Sequence, residues 1–117
     1  MDLSSRRFEH VDLVKVSGRI DHQTAPDLEK ALRAIVDDGR HNIVVDLTDV
    51  TYISSAGLKA LQATAKSTRS GLIAGDLRLV GLRPNIKEIF DTIGFSPLFK
   101  IYTDPVEAVG SFTASPL

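Results

Sequence analysis

The feature that most constrains this chain is a hydrophobic period that keeps switching between that of a strand and that of a helix. Ile43-Val44-Val45 is a β-branched run inside Asn42–Leu47, bounded by polar residues. It reads as a central strand buried on both faces, as strands of parallel sheets are. On either side the period is helical. Leu28, Leu32, Ile35 and Val36 fall at i, i+4, i+7 and i+8, one face of an amphipathic helix. After the strand, Leu58, Leu61 and Ala65 form the inner face of a second helix, expected from about Ala56 to Thr68.

The remaining elements follow the same alternation. Phe8–His10 and Leu13–Val16 alternate apolar with polar residues, as half-buried strands do, with a tight turn expected at Val11–Asp12 and an end at Gly18. Thr24 is placed as the N-cap of the first helix, Pro26 in its first turn and Gly39 at its C-terminal end. Gly71 and Gly75 bracket a loop before an apolar strand at Leu77–Leu82. Ile86, Ile89, Phe90 and Ile93 make a third helical stripe, stopped by Gly94. Phe99–Tyr102 is expected as a strand and Pro105–Phe112 as a short last helix. The order β-β-α-β-α-β-α-β-α predicts an α/β domain built on a mixed, mostly parallel sheet of about four to five strands with about four helices. It is expected as a single domain with an ordered core over about 7–110 and a frayed tail over 111–117.

Composition narrows the function. The 117 residues carry a net charge of -1, without the basic excess that marks nucleic-acid binders. There is no cysteine, which excludes disulfides, iron–sulfur clusters and cysteine zinc sites. His10, His22 and His41 are scattered without carboxylates at ligand spacing, so no metal is expected. No stretch approaches the roughly 20 apolar residues that span a bilayer, and nothing near the start resembles a signal peptide. The expectation is a cytoplasmic protein with no direct contact to nucleic acid, no membrane insertion and no cofactor.

The segment Asp46-Leu-Thr-Asp-Val-Thr-Tyr-Ile-Ser-Ser-Ala-Gly-Leu58 holds two adjacent hydroxyls, Ser54 and Ser55, just before a helix. One reading is capping alone, since serine is a preferred N-cap. The other uses the same physics. Unpaired N–H groups and the positive end of the helix dipole let a helix start accept a phosphate without refolding. A phosphoserine there adds roughly -1.5 to -2 charges to the surface. Small neighbours, Ala56 and Gly57, give another protein's active site room to approach. Asp46 is expected to organise the turn after its strand.

Three segments resemble one known family. Tyr52-Ile-Ser-Ser-Ala-Gly-Leu58 is similar to the signature of STAS domains of the anti-sigma-factor antagonist class. Gly18-Arg-Ile-Asp-His-Gln-Thr-Ala-Pro26 resembles that family's Gly-x-Leu-Asp-x-x-Thr-Ala-Pro segment, and Val80–Asp91 with Gly94-Phe95 its third-helix region. The resemblance implies that Ser55 is phosphorylated by a partner that is both anti-sigma factor and serine kinase. Unmodified, the chain would bind that partner and free a sigma factor; modified, it would let go, and a phosphatase would reset it. Ser54 stands where the family often has aspartate, and Ala56 where it often has serine or threonine, which leaves Ser54 as a competing acceptor. The loop with Asp21, His22 and Thr24 flanks the phosphoserine and contacts the kinase in this reading, beside its role in closing the turn and capping the first helix. Lys59 and Lys66 face either solvent or an acidic partner surface.

The chain has no nucleophile–base constellation, and Gly71, Gly75 and Gly81 are not followed by the Lys-Ser or Lys-Thr of a phosphate loop. Both observations favour a kinase substrate and binding module over a small nucleotide-binding enzyme. The alternative on the same fold is a non-phosphorylated scaffold subunit of a membrane transport or stress-signalling complex.

Overall fold

The computed structural model describes residues 1–112; the residues 113–117 of the expected tail lie outside the described residues. The chain runs β1 (Asp2–Phe8), β2 (Val11–Ile20), α1 (Ala25–Asp37), β3 (Asn42–Ile53), α2 (Ser55–Arg69), β4 (Asp76–Val80), α3 (Pro84–Thr92), a single 3-10 turn at Ser96–Leu98, β5 (Ile101–Tyr102) and α4 (Pro105–Gly110). The sheet order is β1-β2-β3-β4-β5. The first pair is antiparallel and the other three are parallel. The order and class of the elements are those the hydrophobic periods predict.

Helices α1, α2 and α3 share one hydrophobic cluster with one face of the sheet, from Leu28 and Leu32 through Leu61 to Ile86 and Phe90. Three crossovers that all lay their helix on the same face are what a constant crossover hand produces. Helix α4 covers part of the other face, where Ala108 packs with Val11, Val44 and Val80. Ile43, Val44 and Val45 are therefore all fully buried, two toward one layer and one toward the other. Ser111 and Phe112, expected in the tail, pack here too: Arg78 donates to Ser111 Oγ at 2.6 Å and lies over the Phe112 ring.

The β1–β2 hairpin differs from expectation. The turn is Glu9–His10, not Val11–Asp12, and Phe8 closes opposite Val11. Glu9 takes φ 42, the left-handed conformation that two-residue hairpin turns demand. Strand β1 reaches back to Asp2 through Ser4-Ser5-Arg6-Arg7, an exposed polar stretch that carries no alternation to read.

Strand β3 is twelve residues long and ends at Ile53, not at Leu47. Its inward residues Leu47, Val50 and Ile53 are spaced by three, a period of neither strand nor helix. The register explains this. Lys15 and Ser17 of β2 oppose Asp46 and Asp49, and Gly18 and Arg19 oppose Val50 and Tyr52. Each interval carries one extra residue on β3, so two bulges return every third side chain to the core. The first is held by Asp46, whose carboxylate accepts from Thr48 N at 2.9 Å and Thr48 Oγ1 at 2.6 Å. Asp46 thus organises a bulge within the strand instead of a turn after it. Gly18 lies inside β2 at φ +88, not at its end.

Candidate functional site

Strands β2 and β3 are parallel neighbours, so the segments leaving their carboxyl ends lie side by side. Ile20 opposes Ile53, and the next residue, Ser54, donates its N–H to Ile20 O at 2.8 Å. This bond ties the start of α2 to the end of β2. Helix α2 then begins at Ser55, one residue earlier than its apolar stripe suggests.

The two serines have distinct environments. Ser54 is the N-cap in extended conformation, φ -90 and ψ 171, and its hydroxyl accepts from Gly57 N at 3.2 Å. Ser55 is the first helical residue and exposed, and its hydroxyl has no hydrogen bond among the described residues. The N–H groups of Ser55 and Ala56 likewise have no acceptor among the described residues. The first turn of α2 contains no acidic side chain. An exposed hydroxyl therefore stands over free backbone donors at the positive end of a fifteen-residue helix. Lys59 is exposed one turn further along.

Gly57 faces inward. A Cβ there would lie 2.7 Å from Ile20 Cγ2 and 2.8 Å from Ile53 Cγ1. Its missing side chain lets α2 seat against the ends of β2 and β3. The open space at the surface comes from Ala56, which is half-buried, and from Ser55 itself.

The loop from Asp21 to Thr24 sits at the end of β2, against this helix start. Thr24 precedes α1 in helical conformation, φ -95, and makes no side-chain cap. Asp21 does the local ordering instead. Its Oδ1 accepts from Thr24 N and from Gln23 N, both at 2.9 Å, while Thr24 Oγ1 accepts from Asp21 N at 2.9 Å. The Thr24 N–H, aided by Gln23 N–H, the Thr24 hydroxyl and the charge of His22, holds the Asp21 carboxyl below the usual carboxylate range despite opposition from desolvation. Asp21 and Thr24 are half-buried in this turn, and His22 points into solvent.

Two features at this edge were not singled out by sequence reasoning. Arg19 lies over the Tyr52 ring at 4.2 Å from its centroid, and Tyr52 is 39% exposed. Arg83 Nε donates to Thr48 O at 3.0 Å. No local pattern links Arg19 to Tyr52 or Arg83 to Thr48, because the partners lie far apart in the sequence. Among the described residues no group of three or more His, Asp or Glu is placed to hold a metal ion. Among the described residues no helix is long and apolar enough to cross a membrane.

Comparison with known proteins adds independent findings. A family model described as STAS domain matches residues 3–108. The chain is 33% identical over 117 residues to BtrV of Bordetella bronchiseptica, named as a candidate anti-sigma factor antagonist, covering 99% of each protein. It is 31% identical over 103 residues to an anti-sigma-B factor antagonist of Staphylococcus epidermidis, covering 86% of this chain and 94% of that one. A crystal structure of an anti-sigma factor antagonist from Mycobacterium paratuberculosis superposes with a TM-score of 0.84 at 31% identity, over 96% of this chain and 93% of that one.

Proposed function

Because the chain belongs to the STAS domain family, we propose that it is an anti-sigma factor antagonist whose binding is switched off by phosphorylation of Ser55. Relatives named for that activity match it along nearly their whole length. The observation that carries the choice of residue is the division between the two serines. Ser54 is engaged as the cap, whereas the Ser55 hydroxyl is exposed and has no hydrogen bond among the described residues.

Unmodified, the face made by Asp21, His22, Thr24, Ser55, Ala56 and Lys59 binds an anti-sigma factor with serine kinase activity, and a sigma factor goes free. The kinase transfers the γ-phosphoryl group of ATP to Ser55 Oγ. The bond between the β–γ bridging oxygen and the γ-phosphorus breaks, a new O–P bond forms on Ser55, and the hydroxyl proton passes to the kinase's base. ADP leaves. Because α2 and its cap are already formed, the phosphate changes surface charge and bulk without requiring the fold to rearrange. A phosphatase resets the chain by hydrolysing the phosphoserine with water.

The test is intact mass and site mapping after incubation with ATP and the anti-sigma kinase encoded nearest this protein's gene. One phosphate on Ser55 is expected, with Ser55→Ala unmodified and Ser55→Asp bound more weakly by the kinase. Modification of Ser55→Ala to the same extent as the parent chain would rule the reading out.

A further inference from the structure

Strand β4 pairs with β3 only along Asn42–Asp46, so the carboxyl half of β3 projects past it with a strand on one side only. From the open side, Arg83 reaches the carbonyl of Thr48 at 3.0 Å and Asn85 that of Thr51 at 3.3 Å. From the β2 side, Arg19 lies over the Tyr52 ring. The second bulge of β3 is what turns Tyr52 outward, three residues before Ser55.

The charges on this surface are unbalanced. Lys15, nearby on β2, has Asp49 at 3.6 Å. Arg19 and Arg83 have no ion pair among the described residues. A guanidinium held over an aromatic ring keeps its edge donors free, and that edge matches a carboxylate in bidentate fashion. Exposed tyrosine and arginine are also the residue types that carry most energy at the centres of interfaces.

We propose that Arg19, Tyr52 and Arg83 form a docking surface for an acidic segment of the anti-sigma partner, continuous with the Ser55 face; this rests on the partner-switch reading above. Arg19 and Arg83 steer and pair the partner's carboxylates, and the Tyr52 ring supplies apolar contact between them. The arrangement gives the switch its direction. A phosphate on Ser55 places roughly 1.5 to 2 further negative charges beside an acidic segment that is bound because of positive ones, so modification repels the partner it had held.

The test uses the full chain and the kinase named above, with rates measured by surface plasmon resonance at several salt concentrations. Wild-type association is expected to slow as salt rises. Arg19→Glu and Arg83→Glu are expected to slow association by about tenfold or more at low salt, with the gap closing at high salt. Arg19→Lys is expected to retain most of the rate, and Tyr52→Ala to speed dissociation. Thermal unfolding of each variant checks the fold, and Arg83, on a loop outside the core, keeps the test valid if Arg19→Glu is unstable. Binding by the wild type with unchanged or faster association in both charge reversals overturns the docking surface alone. Failure of the wild type to bind at all overturns the switch reading and the docking surface with it.

Discussion

The Ser54 hydroxyl accepts the Gly57 N–H at 3.2 Å, one turn into the helix that Ser55 begins. Two neighbouring residues of the same type therefore differ in what their loss should do. Ser54→Ala removes the cap and is expected to cost about 1 kcal/mol, seen as a lower urea midpoint. Ser55→Ala removes no internal bond and is expected to stay within about 0.5 kcal/mol of the parent. Phosphate uptake should rank the other way, lost in Ser55→Ala and kept in Ser54→Ala; the reverse order in site mapping would move the acceptor to Ser54.

Gly57→Ala is expected to destabilise the protein, against the usual gain of about 1 kcal/mol from replacing a helical glycine with alanine. The new methyl would press on Ile20 and Ile53, which are buried at 0% and 3% exposure. Overpacking of this kind typically costs about 1–3 kcal/mol. Differential scanning calorimetry decides it: an unchanged or higher melting temperature would mean that the helix start can shift away from the sheet.

Arg40 grips Asp12 from the far end of the fold. Its Nε lies 2.9 and 3.0 Å from the two carboxylate oxygens and Nη2 lies 2.7 Å from one of them, with the Asp12 side chain 3% exposed. Arg40→Ala leaves that carboxylate buried without its cation and is expected to cost on the order of 3 kcal/mol. Asp12→Asn combined with Arg40→Met should recover part of the loss. A double-mutant cycle in urea checks this, and strictly additive losses would show that the two residues act separately.

Acid should weaken the protein partly through Asp76. Burial opposes ionisation of this carboxyl, but hydrogen bonds and charge from Arg69 and Arg78 outweigh it and hold it below the usual range. Its folded value lies below the unfolded value of about 3.9. Its contribution is therefore full above about pH 4 and is lost as pH falls through the folded value. Asp76→Asn is expected to be less stable than the parent at neutral pH, with the gap shrinking below about pH 4. Urea titrations across that range test it; a gap independent of pH would exclude the linkage.

The fold was legible where one period governs an element. Leu28, Leu32 and Ile35 placed α1, Ile86 and Phe90 placed α3, and the fully buried Ile43-Val44-Val45 placed the middle of the sheet. It was illegible where the local pattern is absent or broken. Strand β1 is held by pairing with β2, so Ser4-Ser5-Arg6-Arg7 needs no alternation of its own. The carboxyl half of β3 hides behind two bulges that give its buried residues a spacing of three, and nothing short of the register reveals them. At the site, the helix start was readable from Ser-Ser-Ala-Gly. The roles of Thr24 and Gly57 were not. Thr24 locks the Asp21 turn instead of capping α1, and Gly57 serves a contact that includes Ile20, on a strand distant in sequence.

The strand order β1-β2-β3-β4-β5 has a kinetic consequence. Every pairing in the sheet joins strands that are also consecutive in the chain, so no strand pairing waits on a loop longer than one crossover. During synthesis the sheet can grow from one edge as the chain emerges. Strands β2 and β3 and the Ile20–Ser54 bond precede β4, α3 and α4 in the chain, so helix α2 can be seated on β2 and β3 before those later elements are made.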